Sequence, residues 1–151
     1  MKIKIFAGLA GLFLLAQLVR PAKNDATGPG PNDMAKRFQV PVAVGQVLAR
    51  ACYDCHSNRT AYPWYAEVQP VAWWIGRHVS EGKRHLDFTQ FAAYSDKRVA
   101  EKLKEIREEV TAGEMPLASY TWLHPQAKLT PEEVKLVADW AGRLEAGLPA
   151  H

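Results

Sequence analysis

Cys52, Tyr53, Asp54, Cys55 and His56 bring two thiols and an imidazole together within one pentapeptide. The chain's 2 cysteines are both spent there. A CxxCH arrangement is the attachment pattern of a c-type haem: each thiol forms a thioether with a porphyrin vinyl group, and the histidine that follows binds the iron. On a helix, residues at i, i+3 and i+4 share one face, so Cys52, Cys55 and His56 are expected to converge on one object. Two other chemistries use the same residue types. A dithiol–disulfide redox site expects a thioredoxin-like strand–helix–strand setting, which the surrounding pattern lacks. Structural zinc usually takes four nitrogen or sulfur ligands, often from a second paired knuckle, and the sequence has no second knuckle. One haem c, covalently held through Cys52 and Cys55 with His56 as the proximal iron ligand, is therefore the expected cofactor.

The opposite axial position needs a second donor. Met115 is the first choice, because a thioether beyond a helix end and before Pro116 suits a loop that presents sulfur to iron. Methionine also fills gaps in ordinary cores. The competing methionines, Met1 and Met34, lie before or within an expected tether. His78 is the alternative distal ligand, since it falls on an apolar helical stripe; bis-histidine ligation would give a lower potential than His–Met. His85 is expected to face solvent, His124 to be a turn residue before Pro125, and His151 is terminal. Trp64, Tyr65, Trp73 and Trp74 crowd the segment after the motif, where they either wall the haem or pack as ordinary core aromatics. Arg59, Arg77, Lys83 and Arg84 are candidates to pair with the haem propionates.

Helices must position these groups, and the periodicity is helical throughout. Val44, Val47, Leu48, Ala51, Cys52 and Cys55 follow a 3–4 spacing that predicts a first helix ending in the CxxCH. Val71, Trp74, Ile75, His78 and Val79 predict a second helix ending near Gly82. A third should begin at Ser95 or Asp96, bury Val99, Leu103, Ile106 and Val110, and stop at Gly113. The last opens with Thr130-Pro131-Glu132-Glu133, a capping box with proline at its first position, and buries Val134, Val137, Trp140 or Ala141, and Leu144. The expected fold class is all-α, and a helix ending in CxxCH, a C-terminal helix carrying Trp140 and Met115-Pro116 between them resemble a small class I cytochrome c domain around one haem.

The N-terminus supplies a compartment. Met1-Lys-Ile-Lys and the apolar run Ile5–Val19 have the form of a secretory leader, short of the ~20 residues of a comfortable transmembrane helix. Arg20 and Pro21 follow with no small-x-small cleavage site, which favours a retained inner-membrane anchor over residues 3–19. Residues 1–20 are thus signal or anchor, 21–36 with Gly28-Pro-Gly-Pro a flexible tether, and 37–151 the haem domain. Lys2, Lys4 and Arg20 account for three of the 19 basic residues, so the exported part carries 16 basic against 16 acidic residues. That balance removes nucleic acid as a partner despite the pI of 8.9. It leaves redox proteins at or near the membrane as the expected partners.

The motif order resembles a known family, the exported haem-binding domain proteins. The resemblance runs from Arg20-Pro21 through Cys52–Asn58 (CxxCHSN), Tyr62-Pro63-Trp64, Trp73-Trp74 and His78–Arg84 to Glu114-Met115-Pro116-Leu117 and His124-Pro125. It covers nearly the whole chain and is similar, more distantly, to class I cytochromes c. It implies a haem site and is silent on physiological role. The expected function is a periplasmic monohaem c-type cytochrome that transfers electrons and is not an enzyme, since no nucleophile–base pair is evident. The alternatives are a haem-based sensor or gas binder with a displaceable distal ligand, or a small peroxidase with His78 as distal acid–base residue.

Overall fold

The computed structural model describes residues 2–149, so Met1 and His151 lie outside the described residues. Among the described residues seven α-helices follow one another: α1 (Lys2–Ala16), α2 (Val42–Ala51), α3 (Tyr53–His56), α4 (Val71–His85), α5 (Asp96–Ala112), α6 (Ala118–Leu123) and α7 (Pro131–Ala146). Short helical turns fill the connections, and no strand forms among the described residues beyond an isolated bridge between Asp25 and Arg59.

Local chemistry fixes the two long helices of the core as the sequence predicts. The Ser95 hydroxyl accepts from the Arg98 N–H at the start of α5, and Gly113, at φ 75°, closes it in the left-handed conformation that a side chain disfavours. At α7, Thr130 Oγ1 accepts from Glu133 N–H at 3.2 Å while Thr130 N–H donates to the Glu133 carboxylate at 3.0 Å, a complete capping box ahead of Pro131. α5 and α7 lie side by side, and α2 packs against α7 at its CxxCH end. Val44, Leu48, Val99 and Leu103 have no exposed surface, and Val137 and Trp140 almost none. Full burial of a side chain of this size stabilises the fold by roughly 1.5–3 kcal/mol.

Three expectations are corrected. The first helix does not run through the CxxCH: it breaks at Cys52, where φ is −126°, and restarts as the single turn α3. The reason is that α3 is tied downstream, by Ser57 Oγ donating to Tyr53 O at 2.7 Å, Thr60 Oγ1 donating to Asp54 O at 2.6 Å and Phe88 N–H donating to His56 O at 2.8 Å. The second helix does not stop near Gly82 but runs to His85. Gly82 is needed for contact, because a Cβ there would stand 2.6 Å from the Cys55 carbonyl oxygen. Finally, the segment 21–36, though largely exposed, is fastened to the domain at Asn24, Asp33 and Met34. Asn24 Nδ2 donates to Ser57 O and Thr60 Oγ1, Asp33 pairs with Arg59, and Met34 is 1% exposed in the core. These polar residues, which read as a tether in one dimension, find their partners more than twenty residues away.

α1 buries none of its residues and carries apolar side chains around its whole circumference, with Ile3, Phe6, Leu9, Leu12 and Leu14 all exposed. Among the described residues no helix is long and apolar enough to cross a membrane.

Candidate functional site

The ends of α2, α3, α4 and α5 meet around a cleft with two adjoining cavities, of about 280 and 250 Å³. Cys52 lines the first and Cys55 the second, while Ala51, His56, His85, Met115 and Pro116 line both. The break at Cys52 is what divides the two thiols between the halves. The remaining wall of the first cavity is mainly apolar, with Leu48, Phe88, Ile106, Val110 and Val137, and Glu105 and Glu109 add two carboxylates. The second is bounded by α4 at His78, Glu81 and Gly82, and by Leu117 and Tyr120.

His56 is held in one orientation. Its Nδ1 lies 3.0 Å from the Leu86 carbonyl oxygen, which can only accept, so Nδ1 carries the proton and Nε2 is left without a protein partner for a metal. Burial lowers the His56 pKa below the ordinary imidazole value, against a smaller opposing effect of the Leu86 and Gly82 carbonyls, so the ligating neutral form is favoured. Burial also pushes the Cys52 thiol up to about 12 and the Cys55 thiol up to about 11, with the neighbouring Cys55 and Asp54 adding to the respective shifts. Both cysteines are free. A protonated thiol in apolar surroundings is a poor thiolate nucleophile or zinc ligand. Nor do the described residues offer any group of three His, Cys, Asp or Glu able to hold a metal ion.

Met115 reaches the cleft through the end of α5. Past Gly113 the chain reverses, and the Glu114 and Met115 N–H groups both donate to Glu109 O, at 3.0 and 3.3 Å. Its other flank is fastened through α6, where Tyr120 Oη donates to the Asp54 carboxylate at 2.6 Å. Asp54 is the second spacer residue of the CxxCH, so the thiol-bearing turn and the methionine loop are joined directly. Burial, followed by this bond, raises the Tyr120 pKa far above the usual phenol value. Tyr65 Oη and His124 Nε2, 3.0 Å apart, add a second connection, with the His124 ring stacked on Tyr120. The periodicity gave no sign of either link.

Other sequence expectations are redistributed. Met34 is a core residue and does not touch the cleft. His78 lines the second cavity and the smaller one beside it, with its Nδ1 2.9 Å from Trp74 O and its ring against Trp74. His85 is exposed as expected, yet it borders both cavities, a placement its polar context concealed. Trp64, Trp73 and Trp74 do not wall the cleft: they are 79, 41 and 45% exposed. Tyr65 and Trp74 instead border a smaller apolar cavity that adjoins the second one across Cys55, His78, Leu117 and Tyr120. Arg59, Arg77, Lys83 and Arg84 do not line the cleft either. Arg59 pairs with Asp33 over the Tyr53 ring, Lys83 bonds Asn24 and Asn58, and Arg77 and Arg84 lie beside Glu81. His124 caps α6 and bonds Tyr65 rather than standing in a free turn.

The residues present fit a porphyrin: apolar walls, two thiols in adjoining halves, and an imidazole and a thioether bordering both. No curated protein and no solved structure matches the chain. A family model described as the haem-binding domain matches residues 11–143, most of its length. The chain belongs to the haem-binding domain family.

Proposed function

We propose that the protein is an extracytoplasmic, periplasmic monohaem c-type cytochrome that carries electrons to and from redox proteins at the membrane. Haem, when bound, supplies a reversible one-electron couple at its iron. Cys52 and Cys55 hold it covalently, His56 is the proximal ligand and Met115 the distal one. The observation that carries this reading is that His56 and Met115 both border the two cavities that Cys52 and Cys55 divide between them. The protein's own work is to hold its ligands still: Leu86 O aims the imidazole, and the Asp54–Tyr120 bond closes the methionine loop. With both axial positions filled from the chain, bond-making chemistry has no place at the iron, which favours a carrier over a catalyst.

His78 supports a second reading, because it borders one of the two cavities with a free Nε2. Optical spectra of the purified holoprotein separate the two. Wild type should show a low-spin ferric spectrum with a methionine–iron band and no spectral change when CO is added to the reduced form. Met115→Ala should lose that band and bind CO, and His78→Ala should retain it. Loss of low-spin character only in His78→Ala would replace His–Met by bis-histidine ligation. Rapid CO binding by wild type would favour a sensor or a peroxidase.

A further inference from the structure

The end of α1 is fastened to the haem domain at one place. Gln69, 1% exposed, donates its backbone N–H to Gln17 Oε1 at 2.9 Å and its side-chain Nε2–H to Val19 O at 2.8 Å. Trp73 Nε1 donates to the same Val19 oxygen at 2.8 Å. Arg20 and Lys23 both pair with Glu67, at 2.8 and 2.6 Å. Pro21 lies so close to α4 that a Cβ on Gly76 would stand 3.2 Å from it. The segment that leaves α1, residues 17–23, is thereby fixed against residues 67–76 of the domain. Truncation at residue 20 would strip Gln69 and Trp73 of these partners, which argues that the apolar helix stays attached.

The surface around that junction is aromatic and apolar. Trp64 and Trp73 are 79 and 41% exposed, Val68 37%, and Leu18 and Val19 79 and 62%, with Arg20 and Lys23 beside them. Exposed tryptophans next to the end of an all-round apolar helix, flanked by cations, are the features of a protein surface at lipid headgroup depth. Length points the same way. The 15 residues of α1 rise about 22 Å, against ~30 Å of hydrocarbon core. A helix that short, joined to its domain through that fixed segment, draws the domain's own surface toward the bilayer.

We infer that the face formed by Trp64, Val68 and Trp73 is seated in the headgroup layer of a lipid bilayer, so that the haem domain is held against the membrane in one orientation. This rests on α1 being a membrane anchor, and it replaces a swinging tether with a fixed mount. The bilayer is the one occupant that accounts for the tryptophans and for α1 together.

The full-length, haem-loaded protein should be reconstituted into vesicles of phosphatidylethanolamine and phosphatidylglycerol. These carry a diazirine lipid with the photoreactive group either at headgroup depth or at the end of the acyl chain. Peptide mapping by mass spectrometry should find the headgroup probe on residues 60–77 several-fold above α5, and the acyl-chain probe on α1. Trp64→Glu, a change at an exposed site, should cut the 60–77 signal several-fold with the haem spectrum unchanged. Headgroup labelling spread evenly over the domain, or absent from 60–77 while α1 is labelled, overturns the seated face and leaves the anchor standing. An unlabelled α1 overturns both. The haem spectrum, recorded on the same samples, judges the electron-carrier reading separately.

Discussion

Removing the Tyr120 hydroxyl tests whether the CxxCH turn holds the methionine loop shut. Met115 is restrained on one side by its own N–H, 3.3 Å from Glu109 O, and on the other by α6. The α6 restraint is the stronger, because Tyr120 Oη donates to the Asp54 carboxylate at 2.6 Å. A hydrogen bond to a charged group contributes about 1.5–3 kcal/mol, and Tyr120 is only partly buried, so the lower end applies. Asp54 keeps the Ala61 N–H at 2.9 Å after the change and is not orphaned. If the bond acts mainly on the loop, Tyr120→Phe raises the fraction of protein with Met115 off the iron about tenfold, one decade per 1.4 kcal/mol. Apparent CO affinity of the reduced protein should rise by the same factor, because it scales with the competent fraction. The ferric methionine–iron band should weaken in parallel. Tyr65→Phe, which removes the more remote bond to His124, should shift CO affinity less. The reasoning is refuted if Tyr120→Phe lowers the melting temperature while CO affinity and the methionine band stay at wild-type values: Tyr120 would then only support the fold.

Two further outcomes follow from the geometry. Gly82→Ala places a Cβ 2.6 Å from Cys55 O and 3.1 Å from Cys55 Cβ, so α4 and the thiol turn must separate. The fraction of chains carrying covalent haem, read by intact mass, should fall sharply, whereas Gly45→Ala, with its nearest neighbour at 3.8 Å, should leave it unchanged. Glu133 is held below the usual carboxylate range by the Thr130 N–H and then by Arg50, so its charged form is favoured in the folded state. The stability it contributes is present above the unfolded value of 4.5 and is lost as pH falls through the lower folded pKa. Glu133→Gln should therefore melt earlier than wild type at neutral pH, with the gap closing in acid; a gap that persists there would contradict this account.

What the sequence disclosed and what it concealed divide along a physical line. α5 and α7 were legible to their caps, because Ser95, Gly113 and the Thr130 box act within one turn of chain. The haem motif was legible because its chemistry is also local. The fastened segment 21–36 was not: Asn24 and Asp33 resemble loop residues until Ser57, Thr60 and Arg59 arrive from elsewhere. Gly82 carried a genuine signal that pointed to the wrong cause, since a missing Cβ serves a close approach as well as a helix stop. The sequence left the tryptophans as haem walls or ordinary core aromatics; in the fold Trp64 and Trp73 are exposed, and Trp74, half exposed, meets the cleft only through its contact with the His78 ring. His85 shows the converse: a polar neighbourhood hid a ring that borders the cofactor cleft.

The grip on His56 is made by the main chain. Leu86 offers its carbonyl to Nδ1, and Phe88 N–H returns a bond to His56 O, so the orienting partner of this imidazole is written in no side chain. A deep mutational scan would score position 86 as tolerant of most apolar residues, although its oxygen fixes the tautomer that leaves Nε2 of His56 free. The orienting group can therefore survive extensive drift at that position. Comparison of side chains alone would leave it invisible.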